Sequence, residues 1–466
     1  MQLNRTGSRS NGVALLAGLL FLCHHLTVLS ETPNILTVDE AAQRIGEVVT
    51  FEGEVVSSPA SPRRAVRYVN FGDAYPRQTL SLMFANEHTN ILWKLPNLRG
   101  KSVRVTGKVE STRAGPVIAI TNEAQLKVLG EKVIPASLDE TGEGHPFRRR
   151  IFASVQKLFN DRNFATLEHV AYRWQNGRER YLDGHWKIQV YFDAFANMKM
   201  STDSQRDHFF ESLEEWKRAY PNSVIPYIIK ANALTSYAWE ARGTGYAHTV
   251  TEEGWRLFGE RLALARAELE AVHDRRTTFP QWYLNMQVVA LGQGWPRSEY
   301  EELFEEAVST EPNYHFIYVN KARYLQTKWH GKPGEWEAFA KSLIARFPDG
   351  RGEEFYTFTV WNMRANVEQV IRKDGGRYFE DTDVEWAPCK AGFDRLRKKY
   401  PDSIWILNNY AFFAGKAHDR ETVRALLMEL GDRCDMSLWV TWENVAYARM
   451  WADGKLPPGV RMNLFD

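Results

Sequence analysis

The chain has 466 residues, 59 basic against 58 acidic side chains, 13% aromatic residues and three cysteines. That length accommodates two or three domains with ample cores. A formal charge of +1 argues against nucleic-acid or membrane-surface binding driven by bulk electrostatics, although it leaves a local patch open.

Residues 1–30 read as a secretory signal. Arg5 and Arg9 give a positive start, Val13 to Leu22 is uninterruptedly apolar, and Val28 and Ser30 stand before a cut at Glu31. The apolar run is far shorter than the ~20 residues of a spanning helix. The reading is export to the periplasm or envelope of a bacterium, with no integral membrane domain after removal. An uncleaved N-terminal anchor is the alternative, because Leu26–Leu29 extends the apolar segment. Lipidation at Cys23 lacks a small residue before it. Export leaves Cys389 and Cys434 in the mature chain as a candidate disulfide pair. Such a bridge would contribute roughly 4 kcal/mol in the loop-entropy treatment. The alternative is two buried thiols acting as small hydrophobes.

Residues 31–135 read as the next domain, and from Leu36 to about Leu129 the pattern alternates with a period close to two. Expected strands cover Val48–Val56 with a bend at Gly53, Ala65–Phe71, Gln78–Phe84, Lys101–Val109 and Val117–Thr121, the last two joined around Ser111–Gly115. Asn86 to Lys94 is a short helix or irregular link between the third and fourth strands. This order is that of a small OB-fold-like β-barrel. Tyr68-Val-Asn-Phe-Gly-Asp-Ala-Tyr-Pro76, Leu80–Phe84 and Gly100–Lys108 resemble a bacterial OB-type module of exported or DNA-handling proteins. The resemblance covers about a fifth of the chain and speaks to fold more than to function.

Arg67, Tyr68, Phe71, Tyr75 and Arg77, with Arg63, Arg64, Arg104 and Lys108 nearby, supply the cations and stacking faces that single-stranded nucleic acid or a glycan needs. Asp39, Glu40, Glu47, Glu52, Glu54 and Glu110 bring the segment close to neutrality. In the alternative reading Tyr68 and Phe71 belong to the barrel core. Asp73 stands alone, so the carboxylate cluster of a metal-dependent nuclease is missing.

Residues 136–148 are polar and read as a linker, and residues 149–466 as an all-α domain. Trp255, Phe258, Leu262, Ala265 and Leu269 step by three and four, as do Trp336, Phe339/Ala340, Leu343/Ile344 and Phe347. Ser298 and Glu301 read as a capping box. Tyr220-Pro-Asn-Ser223, Glu311-Pro-Asn-Tyr314, Phe347-Pro-Asp-Gly350 and Tyr400-Pro-Asp-Ser403 each close one helix before another. Pro280, Pro312 and Pro348 are spaced by 32 and 36 residues, bracketing a tetratricopeptide unit. Pro401 follows after a longer interval, which places an insertion around Arg364–Glu385. The fold class is therefore multidomain, an OB-fold-like barrel followed by a tetratricopeptide-like helical repeat domain.

Ser236-Tyr-Ala-Trp-Glu-Ala-Arg-Gly-Thr-Gly-Tyr-Ala247, Glu253–Phe258, Ala290–Trp295, Phe159–Phe164 and Gly184–Lys187 resemble bacterial domain-of-unknown-function family 4034 over residues 150–450. That resemblance implies no activity and no catalytic residue. Physically, a helix ends near Arg242, Gly243 caps it, Gly245 permits a close approach, and the next helix starts near Thr251. Trp239, Glu240, Arg242, Gly243, Gly245 and Tyr246 thereby crowd one end of a helix pair. They form either a packed turn in which Arg242 and Glu240 satisfy one another or nearby backbone carbonyls, or a pocket in which Arg242 receives a carboxylate or phosphate.

No metalloprotease, nucleophile-elbow, phosphate-loop or cysteine-pair zinc motif occurs in the sequence. No cofactor or metal is expected, and no catalytic residue is assigned. The reading is a non-catalytic exported protein whose helical repeats engage a peptide or protein partner. Nucleic-acid or glycan binding by the barrel, or an unrecognised hydrolase, are the alternatives.

Overall fold

A computed structural model describes residues 35–57, 66–72, 77–85, 88, 91, 98, 100–130, 134–243, 245, 247–371, 377–456 and 465. The expectations for residues 1–30, Arg63, Arg64, Asp73, Tyr75 and Tyr246 lie outside them. Two units result, one ending at Leu129 and the other beginning at Gly130.

The first unit contains β1 (Ile35–Leu36), α1 (Val38–Ala42), β2 (Val48–Ser57), β3 (Arg67–Phe71), β4 (Leu80–Phe84), β5 (Ser102–Thr112), β6 (Gly115–Ala119) and β7 (Leu126–Gly130). β2 pairs antiparallel with β3, β3 with β4, and β5 with β6. A parallel β4–β6 ladder and an antiparallel β2–β5 ladder close five strands into a barrel. This pairing order fits the OB-fold. Alternation fills the interior, with Val49, Phe51 and Val55 of β2 facing Val103, Val105 and Val109 of β5. Gly53 is required where β2 bends, because a Cβ there would overlap Val38 and Phe71. The β5–β6 connection is tighter than the expected five-residue loop: pairing runs on to Thr112 opposite Gly115.

The second unit begins earlier than the sequence suggests. Ile134 already packs in its core, and the expected linker forms α2 (Ala136–Asp139) and the start of α3 (Gly144–Asn160). Leu138 and Phe147 are buried, and two apolar anchors in a polar stretch outweigh its composition. Then follow α4 (Phe164–Gly177), α5 (Lys187–Ala196), α6 (Asp203–Ala219), α7 (Ile225–Arg242), α8 (Glu252–Glu270), α9 (Gln281–Gln293) and α10 (Arg297–Thr310). The remaining helices are α11 (Phe316–Tyr324), α12 (Glu335–Arg346), α13 (Arg351–Ile371), α14 (Trp386–Lys399), α15 (Ile404–Lys416), α16 (Arg420–Leu430), α17 (Met436–Trp439) and α18 (Trp442–Ala452). One continuous apolar core runs through them.

The proline punctuation has one structural meaning in all four places. Tyr220, Glu311, Phe347 and Tyr400 share φ between −127° and −141° and ψ between 68° and 79°. Proline excludes its predecessor from the α region, so the helix must stop there. The carbonyl of each pre-proline residue then accepts from the N–H three residues on, at Ser223, Tyr314, Gly350 and Ser403. These turns join α6 to α7, α10 to α11, α12 to α13 and α14 to α15. The proposed insertion is in part a continuation of α13, and Tyr378 beyond it is buried, its hydroxyl donating to the Val360 carbonyl. The capping box expected at Ser298 does not form. Helix α10 starts at Arg297 behind Pro296, and Glu301 pairs with Arg297 and Lys321 instead.

Candidate functional site

The turn between α7 and α8 is built as its glycines require. Gly243 has φ 72° and ψ −179°, a conformation closed to residues with a Cβ. Thr251 caps α8, accepting from the Gly254 N–H at 3.0 Å, and Gly254 approaches so closely that a Cβ would stand 2.9 Å from the Ala241 carbonyl oxygen. Arg242 does not pair with Glu240, which is exposed. Its Nη1 donates to the carbonyls of Gly243 (3.3 Å) and Gly245 (3.1 Å). The guanidinium lies 5.5 Å from the ring centre of Trp239, 5.3 Å from Trp255 and 5.6 Å from Trp329. Trp239 in turn meets Phe258 and Trp329 edge-on. Phe258, Leu262, Ala265 and Leu269 of the predicted stripe are buried, whereas Trp255 at its head remains 40% exposed. The sequence reading did not include Trp329, which reaches this turn from the segment after α11.

The barrel candidates separate. Phe71 is core, meeting Phe51 edge-on, and Arg67 is buried. Tyr68 points outward at 46% exposure, and Arg77 is exposed. Arg104 is neutralised by Glu52 at 2.5 Å. Among the described candidates one aromatic face is therefore available for stacking.

Cys389 and Cys434 are free thiols and form no bridge. Cys389 lies within α14 under Thr357, which donates to its carbonyl, while Cys434 after α16 points at the Gly431 carbonyl. Burial pushes both thiols up in pKa.

A polar cluster that the sequence reading did not assemble lies where α3, the 178–186 segment and the starts of α11 and α15 meet. Arg148 and Asp183 form an ion pair at 2.6 Å with side chains 8% and 1% exposed. The Asp183 carboxylate also accepts from the backbone N–H of His185 (3.0 Å) and Gly144 (3.4 Å). Glu143 accepts from the Ser403 hydroxyl (2.6 Å) and from the N–H groups of Ile404 (2.8 Å) and Trp405 (3.1 Å), satisfying the first turn of α15. Arg180 stacks on Trp186 at 3.7 Å and donates to the Gly184 carbonyl at 3.1 Å. His185 and His315 face one another at 6.4 Å, and His315 stacks on Phe358 at 4.2 Å. Burial and then the neighbouring Arg148 hold His185 below its ordinary pKa; burial and then His185 do the same for His315. Beside this cluster, a cavity of about 50 Å³ is lined by Gln189, Asp193, Asn232, Gln281 and Asn285 with apolar neighbours. Burial raises the Asp193 carboxyl to about 6, against a hydrogen bond from Gln189.

Gly184–Lys187 carries part of the family resemblance, but no spacing ties His185 to His315 or Asp183 to Arg148. Among the described residues no group of three or more histidine, cysteine or acidic side chains is placed to hold a metal ion, and no helix is long and apolar enough to cross a membrane. No family model matches the chain, and no curated protein matches it. The resemblance to family 4034 therefore stands on its motifs alone.

Proposed function

We propose that this is a non-catalytic binding protein whose helical unit docks a peptide or protein segment at the α7–α8 turn. One observation carries the reading: an exposed Trp255 stands beside an Arg242 whose guanidinium is only half used. Nη1 is held by the turn's own carbonyls, while Nε and Nη2 have no protein partner among the described residues. Tryptophan and arginine are the residue types that most often dominate binding energy at interfaces. The free edge of the guanidinium matches a carboxylate, and Trp255 offers an apolar platform next to it. The expected partner is a segment with Asp or Glu adjacent to an aromatic or aliphatic side chain. Titration of the full chain with such peptides, followed by tryptophan fluorescence, tests this. Saturable binding lost in Trp255→Ser supports it, and the same affinity in wild type and variant overturns it.

A further inference from the structure

We infer that the cavity between α5, α7 and α9 is a binding site for a primary ammonium group, separate from the α7–α8 turn and independent of the docking proposed there. Two chains of hydrogen bonds run along its wall, and each is directed by an atom that can only accept. In the first, the ionised Asp193 carboxylate fixes Gln189, whose Nε2 donates to Oδ1 at 2.6 Å. Gln189 Oε1 then accepts from the Tyr314 hydroxyl at 2.5 Å, which uses that hydroxyl's one proton. Gln281 must therefore turn its Nε2 to the Tyr314 oxygen, at 2.6 Å, and its Oε1 is left buried without a donor among the described residues. In the second chain the Gln281 backbone carbonyl accepts from Asn285 Nδ2 at 3.0 Å. Asn285 Oδ1 is thereby left to accept from Asn232 Nδ2 at 2.9 Å, and Asn232 keeps its own Oδ1 unused.

What remains along the wall is an excess of acceptors. The second Asp193 oxygen, Gln281 Oε1 and Asn232 Oδ1 receive no hydrogen bond from the described residues, and Asp193 has no ion-pair partner among them. Gln281 is 2% exposed, so the shortage of donors lies inside the fold and not at its surface. A primary ammonium carries three N–H donors, no acceptor and one positive charge, and matches this set in number, polarity and charge. A guanidinium would bring five donors, and an inorganic cation would make no use of the apolar walls of Phe192, Ile229 and Leu284. The cavity volume of about 50 Å³ exceeds the roughly 10–15 Å³ that one water molecule requires, and it takes an ammonium with its first methylene. Ala196 at its edge is exposed, which gives a way in. The carbonyl end of α5 favours a cation here and the first turn of α9 opposes one, so the Asp193 charge decides the balance.

The pH dependence follows from the facing groups. Among the described residues Asp193 is the one titratable side chain that lines the cavity, and burial holds its carboxyl at about 6. Arg148 of α3 and Tyr314 before α11 act on it, while α7 and α9 face it with the neutral Asn232, Gln281 and Asn285. An ammonium pairs with the carboxylate and not with the neutral acid, so binding releases protons near pH 6 and weakens as the pH falls below it. The amine itself stays charged throughout, as lysine does.

Isothermal titration of the full chain with n-butylammonium chloride, at constant ionic strength, tests the site. The expected result is one saturable site, about tenfold weaker at pH 5 than at pH 8, with proton release near pH 6 measured in buffers of different ionisation enthalpy. Tetramethylammonium, equal in charge but without an N–H, should bind at least tenfold more weakly. Asp193→Asn should lower the affinity at least tenfold while raising the melting temperature at pH 7, so that a loss of binding is not a loss of fold. A parallel titration with Nα-acetyl-lysine amide separates the sources of the ammonium. Tighter binding than n-butylammonium assigns the site to a lysine side chain of a polypeptide, and equal or weaker binding assigns it to a free amine. Absence of saturable binding of both compounds by the wild type at pH 8 overturns the inference. So does equal affinity for tetramethylammonium, an affinity that does not change between pH 5 and pH 8, or an unchanged affinity in Asp193→Asn.

Discussion

Replacing Asp183 by Asn is the most informative single perturbation of the helical unit. The change keeps shape and one carbonyl acceptor but leaves the Arg148 guanidinium charged and buried, its partner gone. Breaking a buried pair from one side costs about 3–5 kcal/mol, because the remaining charge is uncompensated. The backbone N–H groups of His185 and Gly144 also lose an ionised acceptor, which places the expected loss toward the upper part of that range. Arg148→Met should cost less, since the carboxylate keeps its two backbone donors. The double variant should be more stable than the sum of the single losses, by more than about 1 kcal/mol. Urea unfolding of the full chain gives the midpoints, read at constant m. A loss below about 1 kcal/mol for Asp183→Asn, or additive single losses, would mean that the pair is solvated and that the reasoning from burial fails.

Three further outcomes are expected. Gly243→Ala should destabilise by about 1–3 kcal/mol because of its positive φ; Gly259→Ala, inside α8 with open space around the Cβ position, should stabilise by about 0.5–1 kcal/mol, both read from denaturation midpoints. The native Asp193 carboxyl, raised to about 6, binds more protons than the unfolded chain between its ordinary value and 6, so its unfavourable contribution is present above pH 6 and fades on acidification. Asp193→Asn should therefore stabilise by about 3 kcal/mol at pH 7 and by almost nothing near pH 4, whereas His185 and His315, depressed in the native state, make stability fall as pH drops below about 6.5. Cys389 and Cys434 should resist alkylation in the folded protein and both react in denaturant without reductant, as mass spectrometry would show; failure to react would reveal a bridge.

Much of the architecture was legible because local rules carry it. Proline excludes its predecessor from the helix at Tyr220, Glu311, Phe347 and Tyr400, and that rule needs no tertiary information. Period-two alternation placed the barrel strands, and Gly243 marked the end of α7. The linker was misread because polarity around Ala136–His145 hid two apolar anchors, Leu138 and Phe147, whose burial depends on the rest of the core. Of the two partners that a packed turn offers Arg242, the structure selects the backbone carbonyls: the helix directs Glu240 to solvent while the turn carbonyls converge on the guanidinium. The Arg148–Asp183 pair and the His185–His315 pair arise from packing of segments distant in sequence, and no local pattern records such packing.

The central claim is that Trp255 and Arg242 form a docking surface for an acidic, apolar-flanked segment. Fluorescence polarisation of the full chain against a library of labelled peptides, with Asp or Glu placed beside Phe, Leu or Ala, measures this directly. The account expects saturable binding for the Phe and Leu members, at least tenfold weaker for Ala members, and lost in Trp255→Ser and weakened in Arg242→Lys without change in melting temperature. No binding by any member, or equal binding by wild type and Trp255→Ser, would contradict it.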